Sequence, residues 1–256
     1  MRRIATAALV LAAVVLPAAA QTASTALELD RMQGTRYPGE QTRQGKTWTL
    51  TSIYAAAEVT LEVDESDEVI PALTGDEDEA VECITNAELD ALAASHRESP
   101  VPPDGDRSFV YGVVVDAYAA NDPDDCRTGV LGRMWDSEQR SAFAIYYKTN
   151  TISTDGEKYL RTTAHELGHA FNLHHEDGDG KKTIMNQTSV VGDNFTYDFS
   201  AHSQSHLGGH PGPCNLTGGG AFYGVDAEHV DWHGSTFLDC ADEAADGDDT
   251  TTEGTR

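Results

Sequence analysis

From Phe109 to Tyr118 the chain reads FVYGVVVDAY, rich in β-branched and aromatic residues, which predicts a strand in the core of a sheet. Val130 to Trp135 and Ser141 to Lys148 read as further strands, separated from the first by a turn cluster at Asn121 to Asp125. Leu89, Leu92 and Ala93 form an apolar stripe behind Thr85, predicting a helix over Asn86 to Arg97 with Thr85 as its cap. Trp48 to Val63 mixes β-formers with an alanine run and fits a helix, a strand, or a helix running into a strand. Gln21 to Gln44 is polar and reads as irregular, and Glu65 to Glu82 as acidic and exposed.

The most regular pattern begins at Thr154, which with Glu157 suggests a capping box, and predicts a helix from near Asp155 to about Asn172. At about 100° per residue Leu160, Ala164, Leu167 and Phe171 share one face, and His165 and His169 point roughly 150° away. One side therefore packs into a core and the other looks into a cleft. Beyond Met185 the chain is polar and rich in Gly, Ser and His, with short helices expected at Ser200 to Leu207 and Val225 to Trp232. The small, acidic, threonine-rich stretch from Ala241 to Arg256 reads as a disordered tail.

Composition adds the compartment. Residues 1–20 have a basic start, an apolar run and a small-residue end, as a secretory signal does, so the protein is expected to be secreted. No later stretch is long and apolar enough to span a bilayer. Four cysteines, Cys83, Cys126, Cys214 and Cys240, suggest two disulfides in one of three pairings, and none sits in a C-x-x-C spacing. Acidic residues outnumber basic ones 43 to 17, for a net charge of −26. Self-repulsion of that size calls for screening, which suggests adaptation to high salt, and it disfavours nucleic acid as a partner. Sequons stand at Asn186, Asn194 and Asn215.

The chemistry lies in Arg161 to Met185. His165 and His169, four apart on a helix, project from one face about one turn apart, with Glu166 adjacent; this is the H-E-x-x-H spacing of a zinc site. His174 and His175 follow, and either could supply a third imidazole. The acidic loop Glu176 to Gly180 offers oxygens to Ca2+ but lacks the EF-hand pattern, and His202/His206 and His229/His233 are weaker metal candidates.

His165-Glu-Leu-Gly-His169-Ala-Phe-Asn172-Leu-His-His175, followed by Thr183-Ile-Met185-Asn, resembles the metzincin clan of zinc endopeptidases, whose pattern is H-E-x-x-H-x-x-G-x-x-H with a downstream methionine turn. The resemblance implies an α+β fold: a twisted mixed sheet packed on the active-site helix, followed by a loop-rich C-terminal subdomain. It implies one catalytic Zn2+ on His165, His169 and His175, which the pattern's offset selects over His174. It further implies Glu166 as general base, Met185 beneath the metal, and protein or peptide substrates. Residues 81–240 would form the peptidase domain, divided near residue 172, with 21–80 as a pro-segment or N-terminal extension and a monomer as the expected state. In such an enzyme the Ser141 to Lys148 strand could lie along the cleft and pair with an extended substrate.

Two positions depart from the clan. Asn172 replaces the glycine at the helix exit, where asparagine best tolerates a left-handed backbone. Gln187 stands two residues after Met185, where some families carry a tyrosine ligand. The rival reading is a secreted zinc-binding or cell-surface protein without catalysis.

Overall fold

The computed structural model describes residues 24–73, 81–98, 107–119, 126–127, 129–136, 140–177 and 180–209. In chain order the elements are β1 (Ser24–Met32), β2 (Gln41–Arg43), β3 (Lys46–Trp48), α1 (Leu50–Ala55), β4 (Thr60–Ile70) and β5 (Cys83–Ile84). There follow α2 (Asn86–His96), β6 (Arg107–Val115), β7 (Ala117–Ala119), β8 (Cys126–Arg127), β9 (Gly132–Arg133) and β10 (Ala142–Tyr146). The last four are α3 (Asn150–Thr154), α4 (Gly156–Ala170), α5 (Thr188–Val191) and α6 (Ala201–Gly209).

The main sheet is mixed, in the order β4-β1-β6-β10-β9; the first four strands run parallel and β9 pairs antiparallel to β10 at one edge. Both faces are covered. On one, Leu27, Leu29, Val110, Val114, Phe143 and Ile145 pack against α1 and α4. On the other, Tyr111, Val113, Val115, Ala142 and Ala144 pack against Leu89 and Leu92 of α2. Parallel strands need this double cover, which explains the continuous apolar runs of β6 and β10.

Several expectations are met. Thr85 caps α2, and its capping box with Glu88 is complete. Trp48 to Val63 resolves as a helix running into a strand, α1 into β4, with Thr49 and Ser52 capping reciprocally. The Phe109 to Tyr118 run divides at Asp116 into β6 and β7.

Others are corrected. The stretch read as irregular, Gln21 to Gln44, contains β1, which lies between β4 and β6 inside the sheet. Its alternation was the signal: Leu27 and Leu29 face one core while Asp30 and Met32 are buried toward the other. The acidic stretch after Val63 continues β4 as far as Ile70, and Glu82 is buried, its amide donating to Asp116 at 3.1 Å. Thr154 does not cap the central helix. It ends α3, and Asp155 caps α4, its Oδ1 accepting from the Lys158 amide at 3.0 Å.

Cys83 and Cys126 are joined in a disulfide that ties β5 to β8 across β7. Cys214, Cys240, Asn215, His229 and His233, the Asn121 to Asp125 turn, the helix expected at Val225 to Trp232, the signal and the acidic tail lie outside the described residues. The helix expected at Ser200 to Leu207 is α6. No helix among the described residues is long and apolar enough to cross a membrane.

Candidate metal centre

Helix α4 runs through the middle of the molecule, buried on nearly all sides from Tyr159 to Ala170. Its lower face carries Leu160, Ala164 and Leu167 into the core, and its other face presents His165, Glu166 and His169. The helix ends as a Schellman motif: the Leu173 amide donates to Gly168 O at 3.1 Å and the Asn172 amide to His169 O at 2.9 Å. Asn172 takes the left-handed conformation this exit requires, with φ of 63°. Buried Arg140 donates to Ala170 O at 3.1 Å, placing a cation at the negative end of the helix.

The reversal at Asn172 delivers the third histidine. The Nε2 atoms of His165, His169 and His175 form a triangle with sides of 2.9, 3.1 and 3.2 Å. His174 points elsewhere; it is buried near His206 and Arg140, and its pKa is lowered to about 4 mainly by that burial. Among the described residues, His165, His169 and His175 are the one group of three or more His, Cys, Asp or Glu able to hold a metal.

The outer nitrogens show that this triangle suits a cation. His165 Nδ1 lies 2.7 Å from Ile184 O, and His169 Nδ1 lies 2.7 Å from Leu173 O. A carbonyl can only accept, so both Nδ1 atoms carry hydrogen and both Nε2 atoms present lone pairs. Two such lone pairs facing each other at 3.1 Å repel unless a cation lies between them. Tetrahedral zinc, with Zn–N bonds of about 2.0–2.1 Å, needs nitrogens roughly 3.3 Å apart, close to the sides observed. Burial also keeps the imidazoles neutral, holding the pKa of His169 at about 4 and that of His175 at about 2, while His165 is pushed well below its ordinary value. The donor set therefore fits zinc.

The turn containing Met185 packs against α4 and meets His165 through Ile184 O. The Met185 Sδ packs so closely on the helix that a Cβ at Gly168 would come within 2.6 Å of it. The turn is tied to α4 by buried Arg161, which donates to Thr183 O and Ile184 O at 3.0 Å each, to Asn186 O, and to Thr188 Oγ1 at 3.1 Å. Ile184 O thus serves both Arg161 and His165. Asn186 is fully buried, donating to Glu176 O at 2.6 Å, so the sequon there is closed to glycosylation, whereas Asn194 is exposed.

Of the Ca2+ candidates Asp177 and Asp179, Asp179 lies outside the described residues, and the oxygens of Asp177 and its neighbour Glu176 are engaged by the protein itself. Glu176 accepts from the hydroxyls of Ser200, Ser203 and Thr183, and Asp177 Oδ1 accepts the Gln187 amide at 2.6 Å. His206 is likewise committed, its Nε2 lying 3.1 Å from Phe171 O.

Glu166 sits beside the triangle, accepting a hydrogen bond from the Met134 amide just beyond β9. Burial raises its pKa to about 8, against the smaller opposing effects of that hydrogen bond and of Arg133 and Arg161. The edge strand passes directly over it: a Cβ at Gly132 would lie 2.6 Å from Glu166 Cγ and 2.9 Å from Oε1. The strand bordering the site is therefore β9. The Ser141 to Lys148 strand, β10, has both edges paired, with β6 and β9, and cannot take a further strand along its length. Sequence reasoning also passed over Arg161, whose signal was a cation within the buried stretch of the helix, and Gln187, seen there only as a missing tyrosine.

The helix exit gives a direct test. Asn172→Gly is expected to keep stability within about 1 kcal/mol and to retain zinc, because glycine takes positive φ without strain. Asn172→Val is expected to cost roughly 2 kcal/mol and to weaken zinc binding, since a β-branched residue is strained there and the strain falls on the turn carrying His175. Thermal denaturation with zinc titration reads both, and an unchanged valine variant would refute this role for the turn.

No protein-family model matches the chain, and no curated protein matches it. Among solved structures, the chain is similar to a zinc-dependent peptidase from Methanocorpusculum labreanum, at 16% sequence identity and a TM-score of 0.40, covering 72% of this chain and 99% of that chain.

Proposed function

We propose that the chain is a secreted, zinc-dependent endopeptidase of the metzincin type, acting on protein or peptide substrates in a salty medium. The carrying observation is the convergence of three neutral imidazole Nε2 atoms, with two tautomers fixed by carbonyls, beside a buried carboxyl group.

His165, His169 and His175 would hold Zn2+, which when bound supplies Lewis acidity and makes a water easier to deprotonate. Glu166 takes the proton from the attacking water and later gives it to the leaving amine. Its burial suits both halves of that work, since a carboxyl with a pKa near neutrality can accept and return a proton. The Met134 amide and the backbone over Gly132 hold its side chain in place. The outer edge of β9, which pairs with no strand among the described residues, borders the site and would align an extended peptide through backbone hydrogen bonds. In this reading residues 1–20 direct export, and the acidic surface keeps the protein soluble where salt screens its charge.

The test is hydrolysis of casein by the full chain in molar salt, before and after treatment with a chelator. Activity is expected to fall to background on chelation and to return with stoichiometric zinc. Zinc binding without hydrolysis would replace this reading with that of a non-catalytic zinc protein.

A further inference from the structure

The three histidines are not held alike. His165 and His169 turn their Nδ1 atoms to backbone carbonyls, which are fixed by the fold. The Nδ1 of His175 instead meets a side-chain carboxamide, that of Gln187, whose Nε2 lies 3.0 Å away. Gln187 is well placed to serve it. It is the N-cap residue of α5, yet its side chain makes no cap hydrogen bond, and its backbone is anchored by its amide donating to Asp177. Its Oε1 accepts from Ser189 Oγ at 3.4 Å, and its Nε2 is turned to the imidazole.

We propose that Gln187 is the positioning residue of the third zinc ligand and that it sets how tightly His175 holds the metal; this rests on the zinc-site reading above. A ligating His175 Nε2 must present its lone pair, so Nδ1 must carry the hydrogen and needs an acceptor. Gln187 supplies one when its carboxamide turns by half a turn from the placement seen here, exchanging Nε2 for Oε1 at the imidazole. A backbone carbonyl can do nothing else, but the carboxamide as placed offers Nε2–H to Nδ1 and so favours the opposite tautomer. Two ligands are therefore locked in the metal-binding tautomer by the backbone, and the third is governed by one replaceable side chain. A carboxylate at this position would only accept, and would lock all three.

The experiment measures the zinc dissociation constant of the full chain by competition with a chromophoric chelator, for wild type, Gln187→Leu and Gln187→Glu. Nitrogen NMR of labelled histidine reads the His175 tautomer in the same samples. Gln187→Leu is expected to weaken zinc binding about 10–100-fold, the effect of losing an outer partner of a ligating histidine. Gln187→Glu is expected to bind at least as tightly as wild type, with His175 held as the Nδ1–H tautomer whether or not zinc is added. Because Gln187 is partly exposed, both variants should keep the wild-type fold, which far-ultraviolet circular dichroism checks. If wild type binds zinc while Gln187→Leu matches it within twofold, or Gln187→Glu leaves the tautomer unchanged, the proposal is overturned and the site reading stands. If wild type binds no zinc, the site reading itself fails.

Discussion

Glu166→Gln is expected to bind one zinc per chain as the wild type does, and to hydrolyse casein about 10²–10⁴-fold more slowly, the usual worth of a general acid–base group. Glutamine keeps the volume of the side chain under Gly132 and can still accept the Met134 hydrogen bond, so packing against β9 does not change. It also relieves burial of a carboxylate, the cause of the raised pKa, so the variant should melt no lower than wild type. A large loss of turnover without loss of zinc or stability isolates proton transfer from every structural role. Turnover within tenfold of wild type would sink the assignment of Glu166 as base and leave the metal site standing.

The parts of this site that were legible from the sequence are those fixed by local geometry. The spacing of His165 and His169, the opposing stripe of Leu160, Ala164 and Leu167, and the left-handed tolerance of Asn172 are consequences of helix periodicity and of one residue's backbone preference. The cap of α2 was legible for the same reason, with donor and acceptor only three residues apart. The cap of α4 was misplaced by one residue because Thr154 and Asp155 are both competent, and the choice depends on α3 ending immediately before.

The illegible parts are set by pairing across long stretches of chain. β1 alternates apolar and charged residues over a few positions, and nothing local says that β4 and β6 will flank it. Which strand borders the site was equally non-local. SAFAIYYK has the stronger strand composition, but among the described residues the sheet edge belongs to the two-residue β9. Gln187 and Arg161 acquire roles only when the turn after Met185 folds back under α4. A motif names the atoms that bind; the residues that aim those atoms are found by contact.

Arg161 carries the second large expected effect. Its guanidinium is almost wholly buried and donates to three consecutive-region carbonyls, of Thr183, Ile184 and Asn186, as well as to Thr188. Burying it is costly, as its pKa, lowered to about 10 by desolvation, shows. Arg161→Met removes that cost but takes the arginine's donors from all three carbonyls; Ile184 O keeps His165 Nδ1–H and Thr183 O keeps the Asn186 amide, while Asn186 O loses its arginine donor, a loss worth roughly 1–3 kcal/mol. The lost arginine hydrogen bonds to the three carbonyls and to Thr188 outweigh one relieved cation, and the net loss should be about 2 kcal/mol, or about 4–8 °C in melting temperature for a domain of this size. Zinc should suffer as well, because Ile184 O also fixes the His165 tautomer and Met185 packs against Gly168 from the same turn. Arg161→Lys keeps the charge and reaches fewer carbonyls, so its losses should be intermediate. Thermal denaturation and zinc content of the two variants, measured together, read this coupling. A methionine variant melting within about 2 °C of wild type with its zinc intact would show that the turn holds without the arginine, leaving Met185 packing as its principal anchor.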